Sequence, residues 1–556
     1  MASLTSCNVG LRLSDTAARD PDGIAVVEPL GRDASGRRQY RHVTFRRLDE
    51  DSHLLADGLH ALGVTPGTRL ALMVRPSIDF IALTFALFKA GAVTILIDPG
   101  MGRRSLIRCL QEAEPEGFIA IPLVHAIRTL LRRKFPQARF NVTVGRRWFW
   151  DGPTLAELRR RALRPDFRPV AAAPDDPAAI IFTTGSTGPP KGVLYRHLNF
   201  GRQVDELQQF FGIQPGEIDL PGFPLFALFN CAMGVTTVVP DMNPTRPARA
   251  DPRLIIEAVQ DWRVTQAFGS PALWNVVGRY CAAHAVRLPT LRRVFSAGAP
   301  VPPHVLERMK QAIAADGDVH TPYGATEALP VASISASEVL GETAERSRQG
   351  AGTCVGRRFP GIEWKTIRIS DQPIAQLADA EELPHGEIGE LIVRGDVVTR
   401  QYITRLEANP LHKIQDGDRF WHRMGDVGYL DERDRFWFCG RKSHRVLTAD
   451  GPLFTIPCEA IFNQHERIYR SALVGVGPAG AQRPVVIVEP WPDRRPQGRA
   501  DREQLLRELR ALTAAHSLTC KISDILIRDA LPVDIRHNAK IFREQLAVWA
   551  AGRLRA

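Results

Sequence analysis

Ile180-Ile-Phe-Thr-Thr-Gly-Ser-Thr-Gly-Pro-Pro-Lys-Gly-Val193 is the stretch on which the reading of this chain turns. Residues 180–183 form a short β-branched and aromatic run, which reads as a buried strand. The run stops at a segment made almost wholly of Thr, Ser, Gly and Pro, which then delivers one lysine, Lys191. Gly185 and Gly188 allow a tight turn and a close backbone approach to a ligand. The hydroxyls of Thr183, Thr184, Ser186 and Thr187 set short donors around the same point. Such a loop wraps a polyphosphate, with Lys191 as a compact positive charge. The eight-residue spacing ending in Gly-Lys-Ser/Thr is absent, so this is not a P-loop.

Outward from the loop, strand and helix signals alternate through the first two-thirds of the chain. Arg69-Leu-Ala-Leu-Met-Val74 reads as a strand, Ser77 as the cap of an apolar helix over 78–90, and Gly91 as its end. Further strands are expected at 93–97, 117–121, 141–144, 235–239 and 264–268. Near-continuous apolar strands alternating with helices imply mainly parallel sheets covered on both faces, an α/β fold. After Gly386 the pattern changes to strands and hairpins. Past Gly440-Arg441 a smaller α+β unit is expected, with a helix near 457–464, strands at 472–476 and 485–488, and a helix over 501–515. The division is therefore 1–442 and 443–556, with the junction near Ser443.

At 556 residues the chain is too long for one small core, and 44% hydrophobic with 24% charged residues is an ordinary globular composition. The first twenty residues lack an apolar run suited to a signal peptide, and no stretch approaches a membrane-spanning length. The eight cysteines form no Cys-x-x-Cys pair, which fits a reduced cytoplasmic setting and argues against a structural zinc. The net charge of +11 is spread along the chain rather than gathered into a nucleic-acid-binding face, and only nine of the 72 basic residues are lysines. The densest basic cluster follows Leu123-Val-His-Ala-Ile-Arg-Thr-Leu-Leu-Arg-Arg133. It reads as an amphipathic helix with a basic solvent face, with a membrane or partner-docking surface as the alternative.

The loop resembles the signature of the AMP-forming adenylating superfamily, which includes acyl-CoA synthetases, peptide-synthetase adenylation domains and luciferases. Four further segments follow in that family's order: Phe295-Ser-Ala-Gly-Ala-Pro300; Tyr323-Gly-Ala-Thr-Glu327; Gly425-Asp-Val-Gly-Tyr429 with Gly440-Arg441; and Leu531-Pro532 with Asn538-Ala-Lys-Ile541. The resemblance spans about residues 13–546. It implies ATP and Mg²⁺ as cofactors and a mobile C-terminal domain carrying a catalytic lysine. The loop over Thr183, Thr184, Gly185, Ser186, Thr187, Gly188 and Lys191 would then cradle the departing phosphates. Gly298, Ala299, Pro300, Tyr323 and Gly324 would pack against adenine, and Asp426 and Arg441 would hold the ribose. Thr326 would donate to the α-phosphate, Glu327 would bind Mg²⁺, and Lys540 would bridge carboxylate and α-phosphoryl oxygens. The usual Gly-Lys pair is Ala539-Lys540 here, and Ser443 stands where relatives carry Asp or Lys at the hinge.

Departures from the CoA ligases shape the second half-reaction. Phe223-Pro-Leu-Phe-Ala-Leu-Phe229 resembles a segment that reads Pro-x-Phe-His in many CoA ligases, with Ala227 at the histidine position. Arg445-Val-Leu-Thr-Ala-Asp-Gly-Pro-Leu-Phe454 replaces the run that lines the thiol tunnel in relatives. The loop and the Tyr-Gly-Ala-Thr-Glu-Ala-Leu-Pro segment look most like the olefin β-lactone synthetases of bacterial long-chain hydrocarbon biosynthesis. That branch implies activation of a long-chain 2-alkyl-3-hydroxy acid and attack by its own 3-hydroxyl. It also implies the pathway's reductase and β-lactone decarboxylase as partners. His197, His320 and Glu327 are the candidate bases for that hydroxyl. A medium- or long-chain acyl-CoA or acyl-AMP ligase is the alternative, and a non-catalytic adenylate-binding scaffold the third reading. Phe226, Phe229, Phe268, Pro271, Leu273 and Trp274 would suit an alkyl pocket, and would equally suit a domain core.

Overall fold

In the computed structural model, which describes residues 6–162, 167–183, 188–533 and 540–554, the Thr/Gly loop leaves the strand Pro177–Phe182. That strand belongs to a six-stranded sheet ordered Phe140–Thr143, Gly117–Ala120, Arg69–Met73, Val93–Leu96, Pro177–Phe182 and Gly192–Arg196. All neighbours are parallel except the last pair, whose antiparallel register (Phe182 opposite Gly192) makes the loop the tip of a hairpin. Val93–Leu96 and Gly117–Ala120 are buried at every position, as strands covered on both faces must be. The helix Ile78–Lys89 packs between sheets, and its first turn is closed by Phe80 N–H donating to Ser77 Oγ at 3.1 Å. Gly91, at φ +71°, ends it.

A 14-stranded sheet carries the second half of the large body. Its middle runs parallel through Asp318–Ala325, Arg293–Ser296, Gln266–Gly269, Ile218–Pro221, Thr236–Val238 and Ile24–Arg32. Antiparallel strands extend it on both sides, among them Ala328–Ser335, Arg419–Leu430 and Arg435–Arg441. The parallel ridges end at one edge, where Gly269, Ser296 and Ala325 give way to loops. In open α/β sheets ligands bind outside the carboxyl ends of such strands.

After Arg441 a 3₁₀ turn, Lys442–His444, leads into the small hairpin Val446–Thr448/Gly451–Leu453. A separate three-stranded sheet follows, Ile468–Val476, Arg483–Pro490 and Asp524–Ile527, covered by the helices Thr455–Phe462, Gly498–Ala514 and Arg543–Leu554. One expectation holds only in part. The helix Pro122–Leu130 packs Val124 inward and buries His125, and Arg132–Lys134 after it are exposed as expected of a basic solvent face, but Leu123, Ile127 and Leu130 are exposed as well. Among the described residues no helix is long and apolar enough to cross a membrane.

Candidate functional site

The hairpin tip is fixed at its base. Thr183 N–H donates to the Lys191 carbonyl and Lys191 N–H to Thr183 Oγ1, each at 3.0 Å. Gly192 N–H donates to Thr404 Oγ1 at 2.8 Å, tying the returning strand to a loop of the larger sheet. Gly188 has φ +152°, a conformation that favours glycine. Thr184, Gly185, Ser186 and Thr187 lie outside the described residues.

Lys191 points into a cluster that sequence reading missed. Its Nζ is 3.1 Å from His412 Nε2 and 4.6 Å from the centre of the Tyr402 ring. Tyr402 Oη donates to Glu327 Oε1 at 2.6 Å. Burial, above all, lowers the Lys191 pKa, opposed by Glu327 and assisted by Arg441. Burial likewise pushes His412 down to about 4, helped by Lys191, so at neutral pH its ring is uncharged and accepts from the ammonium. The backbone of the Thr326–Glu327 turn is pinned from outside. Tyr195 Oη donates to the Thr326 carbonyl at 2.6 Å, and Thr399 N–H and Oγ1 donate to the Glu327 carbonyl at 2.9 and 3.0 Å. Gly324 has no room for a side chain, since a Cβ there would come within 2.7 Å of the Ala328 carbonyl across the hairpin.

Across the cavity, Tyr323 Oη donates to Asp426, and Arg441 Nη1 lies 2.9 Å from Asp426 Oδ1. Asp426 is buried, which raises its pKa, while Arg441 opposes the rise. Arg441 also donates to the Met424 carbonyl at 3.1 Å, so the guanidinium is held in place by the strand that carries its partner. Oδ1 is paired with the Arg441 guanidinium, and a carboxylate oxygen with two lone pairs can still accept from one further donor in this buried place.

Thr183, Gly188, Lys191, Gly298, Ala299, Pro300, Tyr323, Gly324, Thr326, Glu327, Asp426, Arg441 and Lys540 all line one cavity of about 1840 Å³. Residues from five separate motifs thus meet at the carboxyl edge of the sheets. The same cavity runs on into an aromatic chamber with Phe223, Phe226, Phe229, Phe268 and Phe295, where Phe226 stacks on Phe268 at 3.6 Å between ring centres. The expected alkyl pocket is half right. Phe226, Phe229 and Phe268 face the cavity, whereas Pro271, Leu273 and Trp274 belong to the helix Pro271–His284 and are packed into the core behind it. Trp274 Nε1 spends its donor on the Phe295 carbonyl at 2.8 Å.

Three further readings change. His197 accepts from Val9 N–H at 3.1 Å within the core, and His320 is wedged against Phe211 and Phe295; burial lowers both to about 4, and neither lines the cavity. Of the three candidate bases only Glu327 does. Ala227 also faces away, 4% exposed and packed with the helix Ile78–Lys89, so its size says nothing about a gate. Pro452 sits on the small hairpin, beside a separate pocket of about 340 Å³.

The family model described as AMP-binding enzyme matches residues 13–403. The olefin β-lactone synthetase of Stenotrophomonas maltophilia is 49% identical over 557 residues, covering 99% of each chain. The olefin β-lactone synthetase of Xanthomonas campestris pv. campestris is 47% identical over 553 residues, covering 98% of each. Among solved structures, the amide bond synthetase McbA from Marinactinospora thermotolerans superposes with a TM-score of 0.78 at 23% identity, covering 98% of this chain and 99% of that one. This last likeness bears on the fold alone.

Proposed function

Since the chain belongs to the AMP-binding enzyme family, and within it groups with the olefin β-lactone synthetases, we propose that it makes a β-lactone from a long-chain 2-alkyl-3-hydroxy acid and ATP. The observation that carries this reading is the near-half identity over almost the whole length of both chains. The cavity supports it, because a polar, cation-lined part and an aromatic part open into one volume.

In the first step a carboxylate oxygen attacks the α-phosphorus, the bond to the β-phosphate oxygen breaks, and pyrophosphate leaves. Two anions must meet, so charge neutralisation and alignment dominate. Lys191, held by His412 and the Tyr402 ring, is assigned to the departing phosphates. Asp426 Oδ1 offers a ribose hydroxyl its acceptor, with Arg441 alongside and the Tyr323 ring at adenine. Thr326 is assigned to the α-phosphate and Lys540 to the oxygens where charge builds. A Mg²⁺ ion fits Glu327: such an ion needs one or two protein carboxylates beside phosphate oxygens, and Oε2 carries no hydrogen bond among the described residues. When bound, the ion neutralises phosphate charge.

In the second step the substrate's own 3-hydroxyl oxygen attacks the activated carbonyl carbon. The bond from that carbon to the phosphate oxygen breaks, AMP departs, and a four-membered ring closes. An internal nucleophile held in the aromatic chamber needs no thiol channel. The hydroxyl proton passes to a phosphate oxygen of the departing AMP, Glu327 being assigned to the Mg²⁺ ion. Residues 443–556 are taken as the unit that moves between the steps, turning near Ser443. An assembly with the reductase and β-lactone decarboxylase of the same pathway belongs to this reading. Incubation of a 2-alkyl-3-hydroxy acid with ATP and Mg²⁺, without CoA, is expected to yield AMP, pyrophosphate and a cyclic ester. Product formation that requires CoA would favour a ligase instead.

A further inference from the structure

The helix Pro122–Leu130 and the segment 145–149 form a surface that no other element covers among the described residues. Leu123 is 60% exposed, Leu130 80%, Trp148 55% and Phe149 66%. The helix and the segment meet through a buried pair of rings. His125, the buried residue of the helix, stacks on Trp150 at 5.6 Å, and Trp150 in turn meets Trp148 at 5.4 Å and Phe149 at 5.1 Å. Gly145 approaches Pro122 at the start of the helix. A patch of large apolar side chains of this kind on one face marks an interaction site.

Its border is basic. Arg132, Arg133 and Lys134 follow the helix as an exposed 3₁₀ turn, and exposed Arg146 precedes Trp148. Among the described residues none of these four makes an ion pair or side-chain hydrogen bond, so all four charges are left to face solvent. Apolar tips ringed by unneutralised cations match the chemistry of an anionic bilayer surface, with aromatic rings at headgroup depth and arginines at lipid phosphates. The other side of the same helix points inward: Val124, with Ile121 just before it, lines the large cavity.

We propose that this face seats the protein on an anionic lipid bilayer and sets the cavity beside the acyl phase. The charge and exposure pattern stands by itself; that the bilayer is the source of the long-chain acid rests on the function proposed above. Such seating removes the need to extract a two-tailed acid through water.

Flotation of the full chain tests this, with vesicles of phosphatidylcholine alone and of phosphatidylcholine mixed with phosphatidylglycerol. The protein is expected to float with the anionic vesicles and to be released by salt. Trp148→Ser/Phe149→Ser and Arg132→Glu/Arg133→Glu should each weaken vesicle partition on the order of tenfold. Both should retain ATP-dependent pyrophosphate release with a short, water-soluble 3-hydroxy acid, which reports folding and chemistry apart from seating. Failure to float with anionic vesicles, or flotation that neither double variant weakens, overturns the proposal. A concentration-dependent dimer lost in Trp148→Ser/Phe149→Ser, without vesicle binding, would give the face to a second copy of the chain instead. Vesicle binding without pyrophosphate release from any acid would leave the seating intact and defeat the function.

Discussion

Lys191 and His412 show how a phosphate-binding cation is kept in position without a carboxylate to neutralise it. A direct Lys–Glu pair would cancel the charge that ATP requires. Instead Glu327 is held by Tyr402, the ammonium rests over the same tyrosine ring, and a neutral imidazole takes one of its hydrogens. His412→Phe should therefore raise the KM for ATP by roughly tenfold with a smaller change in kcat, because it loosens a binding group without touching the reacting atoms. Steady-state kinetics separates the two, and an unchanged KM would remove His412 from this role. Lys191→Ala and Glu327→Ala should each lower kcat/KM by roughly 10²–10³. Lys191 and Glu327 were legible in the sequence because they sit inside dense runs of turn and strand residues at family spacing. Tyr402 and His412 were not, since they come from a loop and the single helical turn Asn409–His412, too short to show a pattern of its own.

Strands are the elements that sequence reads best here, and the reason is burial. The runs expected at 69–74, 93–97 and 117–121 appear within a residue or so, because a strand covered on both faces has no choice but to be apolar throughout. Helix Pro122–Leu130 was legible only in part for a complementary reason: periodicity separates an apolar side from a polar one but cannot say how much of the apolar side is covered. Ala227 was misassigned because a motif match aligns positions along a chain, not the directions in which a helix points them. The hairpin carrying Tyr323 and Glu327 gives the sharpest test at this scale. Gly324→Ala would drive a Cβ into the Ala328 carbonyl, where backbone must shift to accommodate it. A loss of roughly 1–3 kcal/mol in stability is expected, with nucleotide binding weakened in parallel. Calorimetry of unfolding and of ATP binding on the same sample checks both, and an unperturbed variant would mean the hairpin is looser than its geometry implies.

Across the whole molecule, buried histidines make stability depend on pH. Burial lowers His125, His197, His320 and His412 each to about 4, from an ordinary value near 6.5. Between those values the unfolded chain binds more protons than the folded one, so stability is complete above about 6.5 and falls as the pH drops towards 4. Each such group contributes a slope of up to about 1.4 kcal/mol per pH unit. Asp219, raised to about 7 by burial, acts in the opposite sense over the same range and offsets one of the four. The apparent urea midpoint should thus be lower at pH 5 than at pH 7, and a flat or rising profile on acidification would contradict the buried, neutral assignment. At this scale the meeting of separate motifs at one cavity was foreseeable from motif order, but the volume shared by the polar and aromatic parts was not, because it depends on how separate sheets face one another. The central claim, that the carboxyl group is activated and the 3-hydroxyl closes the ring, is tested most directly by oxygen-18. With both carboxylate oxygens of the hydroxy acid labelled, one label should appear in AMP and the other in the lactone carbonyl, in the absence of CoA. Unlabelled AMP, with both labels retained in the product, would show that the hydroxyl rather than the carboxylate had been activated.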